Sequence, residues 1–151
     1  MMLSDHVLSL ILRWSVFGTF FGHGCLAVRF VPGWMPYLRV VGIGNEWARR
    51  FMPMIGLLDV LVAFIYLFTD SYPLIHCWAF VWGLSTAMIR PLSGESIFGC
   101  IERTGNFLPA LALLWLSSGQ QFSYYLFVCV CMIGSLAISG LIFKTTGIFN
   151  K

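Results

Sequence analysis

Residues Phe51 to Thr69 read FMPMIGLLDVLVAFIYLFT, an apolar run whose single formally charged side chain, Asp59, falls near its middle. A helix needs about 20 mostly apolar residues to cross the hydrocarbon core of a bilayer, with a range of about 17 to 25, so this run reads as a membrane span. Working outward, four more runs fit the same description: Val7 to Val28, Leu74 to Ile89, Thr104 to Ser118 and Phe122 to Phe143. The third and fourth in chain order are short, so each is expected either to stand close to the membrane normal or to dip in without crossing. Breaks are marked by Pro32, Gly33 and Pro36, by Pro53 opening the second run, and by a tight turn at Asp70-Ser71-Tyr72-Pro73. Pro91 and Gly94 close the third run, and Ser117 to Gln121 separates the last two.

Composition agrees. Of 151 residues, 59% are hydrophobic and 10% charged, where a soluble domain carries about a quarter charged residues. The expectation is an all-α polytopic bundle of five helices in one membrane domain, or four if one run is re-entrant. A net charge of +3 is too sparse for a nucleic-acid surface, so membrane lipids and a membrane or peripheral protein are the expected partners.

Lys and Arg gather in cytoplasmic loops, which gives an independent test of the span count. The first connection holds Arg29, Arg39, Arg49 and Arg50, the third Arg90 and Arg103, and the tail Lys144 and Lys151. The amino-terminal segment before the first run and the second and fourth connections have neither residue. That alternation predicts an outside amino terminus and a cytoplasmic carboxyl terminus. A cleaved signal peptide is not expected, because only Asp5 and His6 ionise before Arg13 and the basic start is missing. Phe30 to Arg50 has two readings, an interfacial segment with its aromatics at headgroup depth or a loop packed on the helix ends.

Charge inside a span costs about 2.5 to 3.5 kcal/mol on insertion scales, so intramembrane ionisable groups mark candidate sites. At 1.5 Å per residue, His23 sits about 7 Å and Asp59 about 12 Å from the inner ends of their helices, and Arg13 about 10 Å further out than Asp59. An Arg13–Asp59–His23 cluster is therefore expected, either as a structural ion pair or as a polar site for a quinone carbonyl, a proton or a small anion. His76 begins the third run on the opposite side from His23, which argues against a haem held between them. Gly18 and Gly22 have the small-xxx-small spacing of a close helix contact. Trp78, Trp82 and Thr86 recur at four-residue spacing and lead to Arg90, a packing face or the wall of an aromatic pocket. That pocket would open on a polar loop where Arg90, Glu95, Glu102, Arg103 and Asn106 converge, although two acids and two arginines also neutralise one another at interfaces.

Five cysteines show no metal-ligand spacing and read as packing residues, with Cys77 and Cys129 within reach of each other. There is no phosphate loop, HExxH, CxxC or nucleophile elbow. No cofactor is required by any motif, and quinone is the one the polar site would suit.

Residues 10 to 70 resemble the DoxX-like family of small bacterial membrane proteins. Arg13 early in the first helix, the Phe-Gly-Thr-Phe-Phe run leading to His23-Gly24, and Gly56-Leu57-Leu58-Asp59 in the second helix carry the resemblance. The family usually has four helices, often a Lys after the His-Gly pair and often Glu in the second helix; here stand Arg29, Asp59, a longer first loop and a fifth helix. The stretch Arg90-Pro91-Leu92-Ser93-Gly94-Glu95 has no place in the family's pattern. The resemblance implies a helical bundle linked to redox physiology, some members being subunits of thiosulfate:quinone oxidoreductase. The expected function is a redox-associated subunit binding a quinone or similar lipophilic ligand in a cytoplasm-facing cavity. A noncatalytic assembly partner of a larger complex and a small-solute or proton carrier are the alternatives.

Overall fold

A computed structural model describes residues 3–68 and 72–149. Asp70 and Ser71 of the expected turn, and Lys151, lie outside the described residues. The described residues form helices joined by short turns, with no strand among them: α1 (Leu3–Val28), α2 (Met35–Val40), α3 (Asn45–Phe68), α4 (Pro73–Leu92), α5 (Phe98–Ile101), α6 (Thr104–Ser118) and α7 (Phe122–Thr146), with 3₁₀ turns at Pro32–Trp34 and Gly119–Gln121. Among the described residues, three stretches are long and apolar enough to cross a membrane: Ser4–Val28, Asn45–Phe68 and the helical region Thr104–Thr146. The last is not one rod. Asn106 near the start of α6 and Phe143 near the end of α7 line the same cavity, so the chain doubles back at Gly119, whose φ of 50° and ψ of −122° end α6.

Two prolines sit differently from the sequence expectation. Pro53 lies inside α3 rather than at its start. The polar turns Asn45 to Arg50 form helix ahead of it, and an apolar count registers only what lipid requires. Pro91 likewise sits in the final turn of α4, which stops where the Ser93 N–H bonds the Ile89 carbonyl at 2.9 Å and Gly94 turns to φ +97°.

Apolar side chains on the surface are the rule here, including Leu57, Phe68, Phe127 and Leu141, each more than 60% exposed. A monomeric soluble protein does not leave so continuous an apolar exterior in water. The interior is built on small residues, as expected where dispersion rather than the hydrophobic effect joins helices in lipid. Ala63, Ala79, Ala87 and Ala110 are fully buried. Gly24 of α1 and Gly56 of α3 meet so closely that a Cβ on Gly24 would stand 2.7 Å from the Gly56 carbonyl oxygen. At Gly18 and Gly22, where the sequence spacing placed this contact, a Cβ would have nothing within 4 Å. Their spacing is right for an interface, but helix rotation turns Gly24 to the neighbour instead.

Packing runs from α3 to α1, from α1 to α6, from α6 to α4 and from α4 to α7. Alternate helices run in opposite senses, which collects Arg29, Arg39, Arg49, Arg50, Arg90, Arg103 and Lys144 at one end of the bundle. Of the two readings of residues 30 to 50, packing on the helix ends describes the fold. Gly42, at φ +84°, lies against the backbone of Lys144, and its position leaves no room for a Cβ, which would be 2.6 Å from the Lys144 nitrogen. The Gly44 N–H donates to the Phe149 carbonyl at 2.6 Å, and the Phe149 ring contacts both Trp47 and Phe51. This segment thereby closes over the arginine-rich end.

Candidate functional site

Beneath that closing segment lies a cavity of about 370 Å³. Its walls come from the carboxyl-terminal half of α1, the first half of α3, the second half of α4 and the last turns of α7. Most of the lining is apolar: Phe20, Ala27, Met52, Ile55, Ile89, Leu136 and Phe143. Ligand cavities range over about 300 to 1,000 Å³ and combine apolar walls with a few placed polar groups. Two such groups of polar side chains occur here.

The deeper one is Asp59, 7% exposed, which lines the cavity together with the Trp82 indole. Trp82 is fixed in turn by stacking on Trp78, with centroids 5.5 Å apart. Along α4 the stripe continues through Thr86, whose hydroxyl donates to the Gly83 carbonyl at 3.0 Å, to Arg90. Trp82, Thr86 and Arg90 all face the cavity, which is the pocket-wall arrangement allowed by their four-residue spacing.

The second group sits at the arginine-rich end. An Arg103 guanidinium nitrogen donates to His23 Nε2 at 3.0 Å. Guanidinium has no lone pair to offer, so Nε2 is the acceptor, and the proton of a neutral imidazole is on Nδ1. That proton is donated to the Thr19 carbonyl at 3.0 Å. Trp34 packs over His23 with ring centroids 6.0 Å apart. Arg90 donates to Glu95 at 2.9 Å and lies over the Tyr37 ring, 5.2 Å from its centroid, while the Tyr37 hydroxyl donates to the other Glu95 oxygen. Tyr37 and Arg90 thus tie α2 to the turn after α4. The hydrogen bond from Tyr37 leads the causes that hold the Glu95 carboxyl below its ordinary range, with the Arg90 charge adding to it. Burial, followed by the same hydrogen bond, raises the Tyr37 hydroxyl.

His23, Asp59, Trp82, Thr86, Arg90, Arg103 and Asn106 are therefore gathered around one cavity, and Glu95 braces its edge. Arg13 and Glu102 are not part of it. Glu102 is exposed on the outer side of Arg103, 4.0 Å from its Nε. Arg13 donates to the carbonyls of Tyr66 at 2.9 Å and Leu67 at 3.2 Å, the last turn of α3, so the expected Arg13–Asp59–His23 cluster does not form. A long side chain that could reach several levels of the bundle has gone to the unpaired carbonyls at a helix end, where a cation is favoured. Near it, His76 shares a hydrogen bond of 2.9 Å with the Tyr66 hydroxyl, at the opposite end from His23. Cys77 and Cys129 are neighbours in the core with free thiols.

Sequence reasoning missed Trp34, Tyr37, Leu136, Ser139, Gly140 and Phe143, all of which line the cavity. On α7 the available signal was Ser139 and Gly140, at the end of a run of small residues that also holds Gly134, Ser135 and Ala137. No protein-family model matches the chain, and no curated protein or solved structure matches it.

Proposed function

We propose that the chain is a multi-pass protein of a bacterial inner membrane, crossing five times through α1, α3, α4, α6 and α7 with its arginine-rich end in the cytoplasm. In this reading it is a DoxX-like, redox-associated subunit whose cavity receives a quinone or similar lipophilic ligand. The cavity carries the proposal: apolar walls for a lipid-soluble body, with Asp59 and Trp82 placed to meet an oxygen of the ligand. Asp59 is the group that would exchange a proton there. His23 is held as an acceptor by Arg103, so it positions that arginine rather than relaying protons. The one-sided collection of Arg and Lys supports the orientation.

Binding of a short-chain quinone to the purified protein, read by native mass spectrometry, tests this. Asp59→Asn should weaken binding about tenfold, the size of one charge-assisted hydrogen bond, without lowering the amount of protein in the membrane. No quinone binding by the unaltered protein would end the proposal. A second reading, a noncatalytic assembly partner, is favoured by α7, where Cys129 alone is buried. For that reading Asp59→Asn lowers abundance instead.

A further inference from the structure

The arginine-rich end of the cavity carries more positive charge than its own groups neutralise. Arg90 is matched by Glu95 at 2.9 Å. Arg103 is matched more loosely. One of its terminal nitrogens is spent on a neutral imidazole, Glu102 stands 4.0 Å from Nε with its side chain 66% exposed, and the Nε–H is buried with no acceptor among the described residues. The groups whose charges bear on Arg103 are Arg90, Glu102, Tyr37 and Glu95, and Asp59, deeper in the cavity, is not one of them. Burial and then the adjacent Arg90 charge hold Arg103 below its ordinary pKa.

Placement makes the imbalance sharper. Arg103 is the N-cap residue of α6, a helix with no side-chain cap and no acidic residue in its first turn. A helix start carries the partial positive charge of its unpaired N–H groups, so a guanidinium there opposes the dipole unless an anion joins both. His23 occupies one terminal nitrogen, and the Nε–H is buried without an acceptor among the described residues; the parallel N–H bonds of a guanidinium edge are the geometry that matches a carboxylate or phosphate.

We propose that Arg103 anchors the oxyanion head of a single-chain amphiphile, a carboxylate or phosphate ester, whose apolar chain lies between Phe20, Ile55 and Leu136. This rests on the reading of the cavity as a lipophilic-ligand site and specifies the head the ligand carries there. A neutral carbonyl would fill one donor and leave the surplus charge standing. His23 is a positioning residue, holding the guanidinium between Thr19 and the ligand.

Three probes of one chain length separate the possibilities: dodecanoate, dodecyl phosphate and dodecanol, titrated against the full chain in nanodiscs at pH 7 and read by native mass spectrometry. At least one anion should bind about tenfold or more tightly than dodecanol, and the order of the two anions identifies a fatty-acid or a phosphate source. Arg103→Gln should erase that preference, bringing binding of both anions down to that of dodecanol. If that variant does not insert, Glu95→Gln serves, since freeing Arg90 should strengthen the preference for anions. Dodecanol binding as tightly as both anions, or a folded Arg103→Gln protein that keeps the preference, overturns the proposal and leaves the cavity reading intact. Binding of neither the three probes nor a quinone would remove the cavity reading and this proposal together.

Discussion

Replacing Gly24 by alanine tests the contact that sets the spacing of α1 and α3, and with it the distance across the cavity from His23 to Asp59. The added Cβ would stand 2.7 Å from the Gly56 carbonyl oxygen, 2.8 Å from Val60 Cγ2 and 2.9 Å from the Val60 nitrogen. Ordinary contact begins near 3.5 Å, so the helices must part by about 0.8 Å. Two of the three obstructing atoms are backbone and cannot rotate away. Overpacking of this kind costs about 1 to 3 kcal/mol. Because backbone atoms obstruct the Cβ, the cost falls in the upper part of that range, about 2 to 3 kcal/mol; alanine returns up to about 1 kcal/mol through its better helix propensity, which leaves a net loss of about 1 to 2 kcal/mol. For a chain of this size that is a fall in melting temperature of about 2 to 8 °C. Gly22→Ala is the matched control, because nothing lies within 4 Å of its Cβ position. Thermal unfolding in detergent followed by tryptophan fluorescence reads both. A Gly24→Ala protein as stable as the parent, or a Gly22→Ala protein that loses as much, would refute the packing described above.

Arg13→Gln should destabilise the fold by about 1 to 2 kcal/mol through the loss of hydrogen bonds to the Tyr66 and Leu67 carbonyls, and should leave ligand binding unchanged; a selective loss of binding in thermal and titration assays would return Arg13 to the site. The Tyr37–Glu95–Arg90 link has a definite pH sign. A carboxyl held below its unfolded value contributes stability above that value and loses it as pH falls through the folded value, so the link should persist at neutral pH and through the ordinary carboxylate range, near 4.3, and release only in stronger acid. Hydrogen exchange of residues 32 to 40 against pH checks this, and Tyr37→Phe should move the release toward higher pH; release already complete near pH 6 would contradict it.

Much of the fold is legible from elementary requirements. Lipid demands long apolar helices with satisfied backbones, so runs such as 104–118 and 122–143 announce themselves, and Ser117 to Gln121 marks where the chain turns. Polar extensions are invisible to that count, which is why α3 begins at Asn45 rather than Phe51. Depth along a helix can be computed from the rise per residue, and it places His23 and Asp59 at levels that do share a cavity. Rotation about the helix axis cannot be computed that way. It decides that Gly24 rather than Gly22 meets α3, and that Arg13 reaches helix-end carbonyls rather than Asp59. The fold-back of residues 30 to 50 is one of two readings of the same aromatic and arginine content. What selects it is Gly42 against Lys144, a contact between segments about a hundred residues apart that no local pattern encodes.

The claim that the cavity is a lipophilic-ligand site is tested most directly by native mass spectrometry of the gently purified protein, with extraction and analysis of whatever leaves it. The account predicts a lipid-soluble molecule bound one to one, and its loss from a Ser139→Phe variant whose ring fills the cavity. Protein that carries no such molecule in any preparation, and that gains no thermal stability from added quinone or dodecyl amphiphiles, would contradict it.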